Sequence, residues 1–61
     1  MNYGELKRLL KKNGCQLKRE GKRHEIWYSP KTQESFSVGR HEQQEVPNGT
    51  LNSILQAAGL K

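Results

Sequence analysis

An α+β fold of two layers, with two helices over one face of a three-stranded antiparallel sheet in the order α-β-β-β-α, is predicted by the hydrophobic patterning of this 61-residue chain. Apolar residues recur at helical spacing at both ends of the chain, and between them the period drops to two, interrupted by polar turns. Length adds a third constraint: so short a chain buries only about 60% of the surface that its unfolded form exposes, which confines the elements to a single domain over residues 1–61.

The first helix is predicted from about Tyr3 to Asn13. Tyr3, Leu6, Leu9 and Leu10 form one face, Lys7, Arg8, Lys11 and Lys12 lie away from it, and Asn13-Gly14 supplies a left-handed stop. Cys15 and Leu17 then alternate with Gln16 and Lys18 as a first strand, and Glu20-Gly21-Lys22-Arg23 reads as a turn. His24-Glu25-Ile26-Trp27-Tyr28-Ser29 has the β-branched and aromatic content of a second strand, closed by Pro30 and the polar stretch Lys31-Thr32-Gln33-Glu34. Ser35-Phe36-Ser37-Val38 alternates again and ends at Gly39. On this reading Phe36 and Val38 share the core face with Leu17, Ile26 and Tyr28, while Trp27 and Glu25 point to solvent. After a polar crossing from Arg40 to Pro47, Leu51, Ile54, Leu55 and Ala58 form the stripe of a second helix from about Asn48 to Ala58. Pro47-Asn48-Gly49-Thr50 opens that helix and Gly59 closes it.

Composition narrows the function. Eleven Lys plus Arg against six Asp plus Glu give a net charge of +5, a potential that attracts phosphate backbones, acidic proteins or anionic lipid. Part of that charge, in the last turn of the first helix, complements the helix dipole and needs no ligand. Four aromatic residues centre a thin core without enclosing a large cofactor site. The lone Cys15 rules out a disulfide framework or a multi-cysteine zinc site and points to a reducing, cytoplasmic setting. No apolar run reaches membrane-spanning length and Met1-Asn2-Tyr3-Gly4-Glu5 lacks the apolar region of a signal peptide, so neither membrane nor export is expected.

Apart from the Cys15 thiol, the residues with chemical range near neutrality are His24 and His41. His24 follows Gly21-Lys22-Arg23, which sets an imidazole beside a glycine turn and two cations. Cleaving an RNA phosphodiester needs a base for the 2′-hydroxyl proton, an acid for the leaving 5′-oxygen and positive charge for the developing phosphorane, with no metal required. The residues alone do not overturn the plainer reading of His24 as an exposed strand-end residue of no special purpose. His41 reads as a loop residue bonded to backbone, and Cys15 as a small core residue. A zinc site from Cys15, His24 and His41 has no ligand-spacing motif behind it. A solvent-facing Trp27 would suit a partner protein, a stacked base or lysine stems.

The leading basic helix ending in Asn13-Gly14, the Gly-x-x-His turn from Gly21 to His24 with Glu25-Ile26-Trp27-Tyr28 after it, Val38-Gly39-Arg40-His41, and above all the run Val46-Pro47-Asn48-Gly49-Thr50-Leu51-Asn52-Ser53-Ile54-Leu55-Gln56-Ala57-Ala58-Gly59-Leu60 carry a resemblance over nearly the whole chain. The sequence resembles the HicA (YcfA-like) mRNA interferase toxins of bacterial type II toxin–antitoxin systems. The resemblance implies a double-stranded-RNA-binding-like fold and a metal-independent endoribonuclease that cuts mRNA, needs no cofactor and is silenced by a HicB-like antitoxin covering its RNA face. It also implies that His24 is the catalytic group. Lys22, Arg23, Arg40, Lys7 and Lys11 are the expected RNA-binding residues. Two departures stand out: Lys22-Arg23 replaces the Gly-Ser that often precedes the histidine, and Val38-Gly39 replaces a common Val-Pro, which is expected to loosen the strand exit near His41. Two other classes compete with the enzyme: a non-catalytic double-stranded-RNA-binding module and a pure protein-interaction element.

Overall fold

A computed structural model describes residues 1–61 and has the predicted element order: α1 (Tyr3–Lys12), β1 (Gln16–Glu20), β2 (His24–Ser29), β3 (Glu34–Gly39) and α2 (Asn48–Ala58). The strands form one antiparallel sheet in the order β1-β2-β3. The glycine exits agree with their sequence signals, and α1 opens on a cap that the sequence reading did not name. Asn2 caps α1, its side chain accepting from the Glu5 amide at 2.8 Å while the Glu5 carboxylate accepts from the Asn2 amide at 2.9 Å. Gly14 (φ 88°) and Gly59 (φ 77°) supply the left-handed exits. The Tyr3 and Gly4 amides donate to the Gln44 and Glu42 carbonyls, which ties the crossing segment to the start of α1. Beside this tie, the Met1 ammonium bonds Glu45 at 2.6 Å, and that hydrogen bond raises its pKa above the ordinary 8.0.

Both helices cover the same face of the sheet. Ser29, buried on that face, donates its hydroxyl to the Ala58 carbonyl at 2.8 Å, and Thr32 in the β2–β3 turn donates to the Ala57 carbonyl at 2.5 Å. These two bonds satisfy last-turn carbonyls that α2 cannot pair internally. Leu6 and Leu10 from α1, Ile54 and Ala58 from α2, and Trp27 and Val38 from the sheet form the core, with Phe36, Leu51, Leu55 and Leu60 packed at its edge.

The expected facing of β2 is reversed. Trp27 is 1% exposed at the centre of the core, whereas Ile26 and Tyr28 are half-buried on the uncovered face and Leu17 is 42% exposed on the edge strand. The cause is a one-residue difference in register. A loop running to Glu34 would set Ser29 opposite Ser35 and Tyr28 opposite Phe36; in the structure Ser29 pairs with Glu34, so Trp27 pairs with Phe36 and Glu25 with Val38. The loop is therefore Pro30 to Gln33, closed by a Gln33 amide that donates to the Ser29 carbonyl at 2.8 Å with Gln33 itself at φ 59°. A register irregularity between Leu17 and Arg19 then sets Leu17 opposite Trp27 and Arg19 opposite Ile26.

A lysine accompanies the indole into the core. Lys7 is 7% exposed instead of lying on the solvent side of α1. Its Nζ lies 3.1 Å from the Glu25 carboxylate, and the same carboxylate oxygen accepts from Trp27 Nε1 at 3.0 Å. Position 7 completes the helical stripe of Tyr3, Leu6 and Leu10, a spacing that counts for more than side-chain polarity once Glu25 is available as a partner. No helix is long and apolar enough to cross a membrane.

Candidate nucleic-acid interface

His24 is the first residue of β2, pairs with Gly39 of β3 and is exposed. By strand alternation it shares the uncovered face with Ile26 and Tyr28. The turn before it is tight. The Gly21 amide donates to the His24 carbonyl at 2.8 Å, and a Cβ on Gly21 would come within 2.8 Å of that same oxygen, so no larger residue fits without moving the histidine's backbone. Lys22 and Arg23 occupy the apex, both exposed.

Arg40 joins this turn from the other side. Its amide donates to the Arg23 carbonyl at 3.3 Å and its Nη1 to the Lys22 carbonyl at 3.1 Å, so the β3 exit is bonded directly to the β1–β2 turn. Lys7 holds Arg40 in turn, donating from Nζ to the Arg40 carbonyl at 3.3 Å. His24, Lys22, Arg23 and Arg40 thus gather at one end of the sheet. Three of them carry permanent positive charge, and the Arg40 bonds to backbone oxygens leave that charge unneutralised.

Two of the expected RNA-binding residues lie elsewhere. Lys7 is buried and ion-paired beneath the site, where it anchors Arg40 and offers no surface cation. Lys11 is exposed but lies one helical turn beyond Lys7, about 6 Å further along α1 from the residue-40 end. The exit at Gly39 is not loose: a Cβ there would meet the Tyr3 ring at 2.7 Å, so this glycine lets α1 close over the end of β3. His41 is exposed in the crossing segment, where its carbonyl accepts from the Gln44 amide at 3.1 Å. Cys15 is buried at the core and its amide donates to the Leu10 carbonyl.

Sequence reasoning missed the anchoring chain from Glu25 through Lys7 to Arg40, and it missed the uncovered pair Ile26 and Tyr28. The first had a signal, since Lys7 completes a helical stripe. The second depended on a turn whose left-handed residue is Gln33, a type that gives no warning in sequence.

Neither the curated proteins nor the solved structures give a match to this chain. A family model described as the HicA toxin of bacterial toxin–antitoxin matches residues 3–60, a span that takes in both helices, all three strands and the histidine turn. The chain belongs to the HicA toxin family of bacterial toxin–antitoxin systems.

Proposed function

We propose that this toxin is a metal-independent endoribonuclease that cuts mRNA with His24 as its proton-transfer group. The observation that carries the reading is the gathering of an exposed imidazole with Lys22, Arg23 and Arg40 at a turn fixed by Gly21 and Arg40. Neutral imidazole accepts the 2′-hydroxyl proton as the 2′-oxygen attacks phosphorus. The bond from phosphorus to the 5′-oxygen breaks, and the imidazolium returns the proton to the leaving oxygen. The products are a 2′,3′-cyclic phosphate and a 5′-hydroxyl end, with no net gain or loss of protons. Lys22, Arg23 and Arg40 supply the charge that steadies the phosphorane, and Arg40 does so from a fixed position because its backbone and side chain are already bonded.

The partner in this reading is a HicB-like antitoxin with an acidic docking surface, which silences the toxin by covering the cations and His24 together. The setting is the cytoplasm, where mRNA is the accessible polymer. Induced expression in a bacterial host tests the reading. The wild-type chain should arrest growth, His24→Ala should not, and co-expression of an acidic HicB-like product from the adjoining gene should restore growth. Arrest by His24→Ala at equal protein level would remove the histidine from the chemistry and favour a non-catalytic RNA-binding module.

A further inference from the structure

The uncovered face of the sheet has a composition that a merely solvated surface does not require. The acidic residues of the three strands, Glu20, Glu25 and Glu34, all occupy register positions on the helix-covered side: Glu20 pairs with Glu25, and Glu34 pairs with the buried Ser29. The other side carries His24, Ile26 and Tyr28 along β2, with Arg19 opposite Ile26 and only serines, Ser37 and Ser35, opposite Ile26 and Tyr28 on β3. Lys18 belongs to this face as well, because its ammonium lies 5.7 Å from the centroid of the Tyr28 ring. Gln16, Leu17, Lys18 and Tyr28 line an open hollow of about 330 Å³ there. The small serines leave the Ile26 and Tyr28 side chains unscreened from the β3 side.

We propose that this face is a track for an unpaired RNA strand, with one base stacked on Tyr28 in the hollow and the chain running along β2 to bring a phosphodiester to His24. The proposal rests on the ribonuclease reading and adds the form of its substrate. Charge complementarity selects the occupant: a polyanion meets Lys18, Arg19, His24 and the Lys22-Arg23 turn and meets no carboxylate on the way. The aromatic ring selects the single strand. Bases in a duplex are already stacked on both sides and are read through phosphates and sugars, whereas a splayed strand offers a free base face to an aromatic platform on a sheet. Tyr28 and His24 are four residues apart on one strand, about 13 Å, a span suited to an extended strand with its base at one end and its reacting phosphate at the other. Lys18 covers the ring in the free protein and is exposed, so it can pass to the backbone phosphate as a base takes its place.

The test measures binding of the wild-type chain to fluorescein-labelled 2′-O-methyl oligoribonucleotides, which cannot be cut because the attacking hydroxyl is blocked. One oligonucleotide is unstructured and the other is a hairpin of equal length. The unstructured strand should bind the tighter. Tyr28→Ala should weaken it by about five- to a hundredfold, the range expected when one base stack is removed, with Tyr28→Phe close to wild type and hairpin binding unmoved. Preference for the hairpin, or unchanged single-strand affinity in Tyr28→Ala, would overturn the track. So would a Tyr28→Ala protein that keeps its RNA affinity and loses only its antitoxin. Should Tyr28→Ala fail to fold, photocrosslinking of the wild-type chain to the unstructured strand decides: an adduct on Tyr28 supports the track, and adducts confined to other residues overturn it. Cleavage of ordinary RNA is scored separately. Cleavage without a Tyr28 effect removes the track and leaves the ribonuclease reading, while Tyr28-dependent binding without cleavage removes the ribonuclease reading.

Discussion

The two faces of the sheet divide the labour of a small molecule. The covered face holds Trp27, Val38 and Ser29 and takes in Glu25, whose charge is met by Lys7 and whose oxygen also receives the indole N–H. The uncovered face holds His24, Arg19 and the half-buried Tyr28 and Ile26, with no acidic residue among its register positions. Adjacent residues of one strand, Trp27 and Tyr28, thereby have opposite purposes. The outward field is that of cations that have not been paired, because carboxylates that could have quenched it lie on the other side. A chain with +5 in total gains more directional charge from this segregation than from the total itself.

The largest effect should come from breaking the covered face. Trp27→Ala removes a fully buried indole at a cost of about 3–5 kcal/mol, the size of the whole stability of a domain this small, so urea titration should find it largely unfolded. Tyr28→Ala, one residue along, should cost only about 1 kcal/mol in the same titration. Equal losses at the two positions would erase the contrast.

Next in size is the buried ion pair. Lys7→Met leaves the Glu25 carboxylate enclosed with only the Trp27 N–H as partner, and should cost about 3 kcal/mol. Adding Glu25→Gln, which keeps an acceptor for the indole but no charge, should restore most of that loss. A double-mutant cycle measures this, and additive losses would mean that the pair is not coupled. Lys7→Met also removes one of the three hydrogen bonds that hold Arg40, so a variant kept folded by the second substitution should bind RNA slightly less well than the wild type.

Smaller again is the effect of the turn cations. Replacing Lys22 and Arg23 by Ala should leave thermal stability within about 0.5 kcal/mol of wild type, since both are exposed at a loop apex. The slope of log affinity against log salt for a single strand should flatten by about 0.7 for each phosphate that the protein no longer neutralises. Replacing Lys11 should alter the slope less, as it stands apart from the histidine end.

Much of this fold was legible in the sequence, and the part that was not has a definite cause. Both helices and their glycine exits follow from spacing and capping, because a helical stripe and an αL glycine are local signals. The second strand was legible as a strand but not as an oriented one. Ile26, Trp27 and Tyr28 are three large residues in a row, so alternation alone accepts either facing, and the choice falls to the loop. A turn through Gly or Asn would have fixed that loop; Gln33 at positive φ did not. The histidine turn was legible because Gly21 and His24 are close in sequence, whereas the part of Arg40, bonded to carbonyls of residues 22 and 23, is a long-range fact that only the folded sheet supplies.

The central claim is that the uncovered, acid-free face is where RNA is cut, through His24. Its most direct test is a cleavage time course on a defined unstructured RNA in the presence of a metal chelator, with wild-type and His24→Ala proteins shown to have the same melting temperature. The wild type should generate 2′,3′-cyclic phosphate ends and the variant none above background. Equal cleavage by the two proteins, or intact RNA with the wild type, would contradict it.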